Sequence, residues 1–181
     1  MMRAQERQFV LEQLAASEAR LLGLVEGLSE AQWIFREAAE RWSIAEIVEH
    51  LVVFEGFITD AVTNALQGPA EAEKMALAGV KEPLVLGLAE SRGTKLKARE
   101  ATRPVGRWVD GAELTAEFRR ARARTIGFAA ETECDLRRHF FPHIAFGDLD
   151  CYQWLLVLGQ HTLRHCLQIE EILGDLRFPV G

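Results

Sequence analysis

Apolar residues recur at three- and four-residue intervals through four long stretches of the chain, and no stretch alternates apolar with polar residues between hairpin signals. That spacing gathers the apolar side chains on one stripe of a helix, so the chain is expected to be all-α. The first stretch runs from about Ala4 to Gly27, with Leu14, Leu21 and Val25 on one face. Ser29-Glu30-Ala31-Gln32-Trp33 then reads as a short helical turn opened by its serine. The second long stretch has the sharpest start. Ser43-Ile44-Ala45-Glu46 is a capping box, in which the serine oxygen caps a first-turn amide and the glutamate reaches back, and the helix should continue to about Leu66, before Gly68-Pro69. A third spans Gly111 to Glu131 with Asp110 as N-cap. Leu114, Phe118, Ala121, Thr125 and Phe128 face inward there, while Arg119, Arg120, Arg122 and Arg124 look mostly outward. The fourth begins near Asp148 or Asp150 and runs to Leu173, where Gly174 supplies the stop.

Between the second and third long helices lie residues 67–109, too many for a tight turn. Met75 to Val80 and Leu84 to Leu88 read as two small helices, and Arg92 to Arg107 as a polar, basic crossover with a mobile middle. At 181 residues and 49% hydrophobic content, the chain suits one domain, residues 1–181, with a real core. Its 27 acidic and 21 basic residues give a net charge of -6, which disfavours nucleic acid and anionic membranes as partners. Charges fill the start, Arg3 to Arg7, where a secretory segment needs apolar residues. The longest apolar run, about Trp154 to Leu158, falls far short of the roughly 18 residues that cross a bilayer. Cys134, Cys151 and Cys166 are an odd number without framework spacing. Reduced thiols in a cytoplasm are the simplest reading, so the expected location is cytoplasmic.

The chemistry sits in histidines. Gln160-His161-Thr162-Leu163-Arg164-His165 places two imidazoles four residues apart, one turn apart on one helix face. The 3.6-residue period through Trp154, Leu158, His161, His165, Gln168 and Ile172 puts both inside the apolar seam. In the second long helix the seam reads Ile47, His50, Phe54, Ile58, which adds another inward histidine. Burying three imidazoles costs several kcal/mol unless their nitrogens find partners. A single histidine, or a His-x-x-x-His pair alone, is more often structural; a shared divalent ion would satisfy all three at once. Three neutral imidazoles suit zinc or nickel and leave a coordination position open.

Three segments carry a family resemblance: Trp42-Ser43-Ile44-Ala45-Glu46-Ile47-Val48-Glu49-His50-Leu51, Phe146-Gly147-Asp148-Leu149-Asp150-Cys151-Tyr152-Gln153-Trp154, and His161 to Ile172. Together they resemble the DinB/YfiT-like superfamily of metal-dependent proteins over nearly the whole chain. The resemblance implies a four-helix bundle of up-down-down-up topology, with a long crossover between helices 2 and 3, and a homodimer. It also implies one metal ligand from the second helix and two from the last, which here are His50, His161 and His165. Some branches resemble transferases and isomerases that use a low-molecular-weight thiol, such as bacillithiol or mycothiol. The expected function is therefore a metal-dependent enzyme acting on a small-molecule substrate, with a thiol-dependent S-transferase as its sharpest form. The alternative is a non-catalytic binding or stress-response module in which metal joins two helices. A third reading has the histidines as core polar residues of a dimerising bundle without metal.

Other residues divide between roles. Pro142 argues against a regular helix holding His139 and His143 on one face, so neither is assigned as a ligand. His143, in the loop leading into the last helix, is the one candidate for an acid, base or substrate contact; a surface-loop histidine is its ordinary reading. Glu46, one turn before His50, could also orient an imidazole, against the plainer reading of its capping role. Gln168 or Glu49 could orient an imidazole through its outer nitrogen. Glu170 and Glu171 belong to a solvated last turn. Arg92, Lys95, Lys97, Arg99, Arg103 and Arg107 could guide a carboxylated substrate or a thiol, against the plainer reading of a solvated loop. Trp33, Trp42, Trp108 and Trp154 could line a pocket, against the plainer reading of core aromatics, and Cys166 points about 100° away from His165 around the helix.

Overall fold

The computed structural model describes residues 2–91, 99–108 and 110–180. In chain order the elements are α1 (Ala4–Val25), α2 (Glu30–Ile34), α3 (Ile44–Leu66), α4 (Met75–Leu86), α5 (Gly111–Glu131), β1 (Phe140–His143), β2 (Gly147–Asp150) and α6 (Cys151–Leu173), with short 3-10 turns between some of them. The protein is mostly helical, with one small antiparallel hairpin.

The four long helices begin where their side chains can satisfy free amides. Ser43 Oγ accepts from Glu46 N at 3.3 Å while Glu46 Oε2 accepts from Ser43 N at 2.8 Å, which completes the capping box. Asp110 Oδ1 caps Ala112 N at 2.6 Å, and Asp150 caps Gln153 N at 2.7 Å. α1 ends into Gly27, whose φ of 72° is a conformation that a side chain disfavours. α1 packs on α5 and α6, and α3 packs on the same two helices, so the four close a ring. Leu14, Ile47, Ile58, Phe118, Leu155 and Ile169 fill its interior with essentially no exposure. Each such side chain contributes about 1.5–3 kcal/mol on burial.

Four sequence expectations need correction. Arg122 does not look outward with Arg119, Arg120 and Arg124: it is fully buried. Its Nη1 donates to Leu14 O (3.0 Å) and Ser17 Oγ (2.9 Å), and its Nη2 to Glu55 Oε2 and Thr162 Oγ1, both at 2.9 Å. Nε lies 2.8 Å from Glu55 Oε1, an ion-pair contact off the hydrogen-bonding line. One guanidinium thus touches α1, α3, α5 and α6. Glu55, 2% exposed, is its counter-charge, and removing either partner would leave the other buried without compensation.

The second correction is the hairpin. Phe140 pairs with Asp150 and His143 with Gly147, and Gly147 turns the chain with φ 65°. With only four residues per strand, and Pro142 in one, the pattern is too short for alternation to register. Third, the two apolar pieces of the crossover form one helix, α4, that runs through Pro83. Fourth, the first ten residues of α6 are all buried. Tyr152 donates to Glu6 O, Gln153 to Ala78 O and Gln160 to Gln13 Oε1, so α1 and α4 cover that half and a single seam describes only the C-terminal half. Phe128 is half-buried. Arg92, Lys95 and Lys97, and the expected mobile middle of the crossover, lie outside the described residues. Among the described residues no helix is long and apolar enough to cross a membrane.

Candidate metal centre

His50 from α3 and His161 and His165 from α6 meet where those helices pack. One ring nitrogen of each lies within 4.8 Å of the others. His50 Nε2 is 3.0 Å from His161 Nε2, and the ring centroids are 4.6–5.2 Å apart. The i, i+4 spacing on α6 fixes one pair; the α3·α6 contact supplies the third ring.

Outer partners decide which nitrogen faces inward. Thr102 O accepts from His50 Nδ1 at 2.6 Å, and because a carbonyl only accepts, neutral His50 carries its proton on Nδ1 and its lone pair on Nε2. Gln168 Oε1 holds His165 Nδ1 at 3.1 Å in the same sense. Burial pushes His50 below the ordinary imidazole range, against the Thr102 bond. Burial, then the fields of His165 and His50, hold His161 well below it. Neutral imidazoles with inward lone pairs are the ligand form of histidine.

The donor set fits a divalent transition metal. Zinc at 2.0–2.1 Å from each nitrogen places ligands about 3.3 Å apart on a tetrahedral edge, which the 3.0–4.8 Å spread here brackets. Three protein ligands would leave a coordination position open on a bound ion, and the three histidines line a cavity of ≈ 650 Å³, within the size range of small-molecule sites. Trp42 packs its ring 5.0 Å from His50, and Phe54 packs its ring 4.1 Å from His161.

His143 is not a surface histidine. The hairpin carries it into the same cavity, buried, with its ring 4.6 Å from Phe146 and 5.1 Å from Trp154. Burial, then the charge of Arg99, depress it to about 4. Ala145 N donates to His143 Nδ1 at 3.1 Å, so the neutral ring keeps its proton on Nε2. His139 lies apart and bonds Ala65 O at 3.1 Å.

Glu49, adjacent to His50, serves the loop rather than the rings. Its carboxylate, 2% exposed, accepts from the backbone amides of Val105 (2.8 Å), Gly106 (2.9 Å) and Arg107 (3.3 Å), and from Arg107 Nη1 (2.7 Å). Gly106, at φ 77°, permits the turn that converges those amides. Burial raises the Glu49 carboxyl, but these donors outweigh it and hold it below the ordinary range. This latch and the His50–Thr102 bond fasten residues 99–107 across α3. Glu46 stays in its capping box, with Arg36 at 2.6 Å. Glu170 and Glu171 pair with Arg20 and Arg41 at the surface. The three cysteines are free, and burial pushes the Cys151 and Cys166 thiols up to about 12, far from a reactive thiolate.

The DinB superfamily model matches residues 13–169, a span that contains all three histidines, the whole of α3 and α6 as far as Ile169. The chain belongs to the DinB superfamily. A relative, the uncharacterized protein YuaE of Bacillus subtilis (strain 168), is 29% identical over 166 residues, which cover 86% of this chain and 93% of that protein. No solved structure matches. Reading this DinB-superfamily chain residue by residue found the three histidines. It missed Thr102, because the group that orients His50 is a backbone carbonyl and carries no side-chain signature. Phe54, one turn after His50 on the same seam, was legible as a neighbour of the site.

Proposed function

We propose that this protein is a metal-dependent enzyme acting on a small molecule, with His50, His161 and His165 holding a divalent ion, zinc or nickel, at the floor of the cavity. The observation that carries the reading is the convergence of three ring nitrogens, with the lone pairs of His50 and His165 turned inward because Thr102 and Gln168 hold their outer nitrogens. A metal bound there would supply Lewis-acid activation, making a nucleophile of a thiol or a water at neutral pH. His50 and His165 stay oriented through their Nδ1–H bonds. His161 must shift its proton from Nε2, where it now faces His50 Nε2, to Nδ1. Trp42 and Phe54 keep bulk water from the rings. His143, neutral at pH 7 and protonated on Nε2, acts as a hydrogen-bond donor to a ligand in the cavity rather than as a base.

A low-molecular-weight thiol as co-substrate, and hence S-transfer, is the sharpest form of this proposal. A single domain over residues 1–181, folded as a four-helix bundle of up-down-down-up topology, belongs to the same reading. So do a homodimer, a cytoplasmic location, and the lack of nucleic-acid or membrane partners. The second reading, a metal-stabilised binding module, is favoured by the placement of the histidines on both α3 and α6, where a bound ion would tie the two helices together.

The test is metal content by elemental mass spectrometry on untagged protein purified without added metal, beside the His161→Ala/His165→Ala variant. Near-stoichiometric zinc or nickel, lost in the variant, is the expected result. Wild-type protein that neither carries nor takes up metal on titration overturns the proposal. Metal that raises the melting temperature, with no thiol or electrophile turned over, would favour the binding module.

A further inference from the structure

The cavity above the histidines is lined by more cation than anion, and its cations are not equivalent. Arg41 is paired with Glu37 and Glu171, and Arg164 donates to the carbonyls of Leu88 and Ser91. Arg99 and Arg103 also line it, yet among the described residues no carboxylate lies within ion-pair distance of either. The acids on the wall are Glu40 and Glu46, and Glu46 is already engaged by Ser43 and Arg36. The unmatched charge therefore sits on Arg99 and Arg103.

The fold holds that charge in place. Both arginines lie on the segment that Glu49 latches at Val105 to Arg107 and that Thr102 bonds to His50, and Thr102 is 1% exposed. Arg99 packs its guanidinium 5.6 Å from the centre of the Phe57 ring, which also lines the cavity. It stands close enough to His143 for its charge to oppose protonation there. Both arginines are exposed on the cavity wall, and a guanidinium with unused donors matches a carboxylate in charge and in fork geometry. The apolar lining beside it, Phe54, Phe57 and Trp154, matches a flat or apolar body.

We propose that Arg99 and Arg103 form a carboxylate subsite in the wall of the three-histidine cavity, which selects small organic anions with an apolar or aromatic body. Such a ligand places its carboxylate on the arginines, its body along Phe57 and Trp154, and its reacting end toward His50, His161 and His165. His143 Nε2–H is the neutral donor between. The last part rests on the metal-site reading; the subsite itself does not.

Calorimetric titration with 3-phenylpropionate and its neutral amide, 3-phenylpropanamide, tests this on wild-type protein, on Arg99→Gln/Arg103→Gln and on His161→Ala. The acid should bind about tenfold tighter than the amide in wild type, and that preference should vanish in the double arginine variant and persist in His161→Ala. Raising NaCl from about 50 to 500 mM should weaken the acid and spare the amide. Circular dichroism verifies that each variant is folded, and Arg99→Lys/Arg103→Lys, which retains charge without the fork, should keep only part of the preference. Equal binding of acid and amide, a preference that survives Arg99→Gln/Arg103→Gln, or no binding of the acid up to about 10 mM overturns the subsite. A preference lost in His161→Ala also overturns it, because the carboxylate then sits at the histidines, and leaves the metal reading standing. A preference kept by protein that takes up no metal would sink the metal reading alone.

Discussion

Replacing Arg122 by Met should destabilise the protein through Glu55 more than through the lost arginine. The guanidinium makes four hydrogen bonds and one ion-pair contact, all buried, to Leu14, Ser17, Glu55 and Thr162. Methionine fills much of the same volume, so the cavity created is small. What remains is a carboxyl group 2% exposed with no counter-charge. Removing one partner of a buried pair costs about 3–5 kcal/mol. For a domain of this size each kcal/mol shifts the melting temperature by about 2–4 °C, so Arg122→Met should melt about 6–20 °C lower. The diagnostic variant is Arg122→Met/Glu55→Met. Replacing both charges removes the uncompensated carboxyl, so the double variant should recover at least half of the loss. Urea unfolding followed by circular dichroism, on metal-free samples of all four cycle members, gives the coupling directly. A cost below about 1 kcal/mol for Arg122→Met, or a double variant less stable than either single one, would refute the reasoning.

Glu49→Gln should weaken metal binding about tenfold or more without touching a ligand, because an amide cannot accept from Val105, Gly106 and Arg107 as the carboxylate does. Competition with a chromophoric chelator measures it; unchanged affinity would show that the loop is not what orients His50. The pH dependence of stability has a defined sign: His143 titrates near 4 when folded and near 6.5 when unfolded, so the unfolded state binds more protons between those values. Stability from this group is therefore complete above about pH 6.5 and is lost as pH falls toward 4, by up to about 3 kcal/mol. His143→Gln should flatten the urea-midpoint profile between pH 7 and 4, leaving the slope due to His50 and His161; an unaltered profile contradicts the assignment. Gly111→Ala should cost about 1–3 kcal/mol, because a Cβ there would stand 2.2 Å from the Trp33 indole, and a melting temperature equal to wild type would show that the indole yields freely.

Periodicity and capping were enough to place the long helices. Ser43, Asp110 and Asp150 cap where their side chains indicate, since a cap is a bond between a residue and amides two or three positions on. The three histidines were legible for the same local reason: residues four apart on a helix share a face, and a polar residue on an apolar face asks for a partner. Family membership followed from the same segments.

Tertiary structure alone decided the rest, because those features depend on contacts between residues far apart in the chain. Arg122 lies one position after Ala121 on a helix rich in exposed arginines, and only the approach of Glu55 from α3 makes its burial affordable. His143 enters the cavity because a hairpin of two four-residue strands stacks Phe141 on Trp154 at 4.2 Å, a contact no short window of sequence contains. Thr102 orients His50 through a backbone carbonyl, which every residue has, so its identity as a site residue exists only in the folded chain.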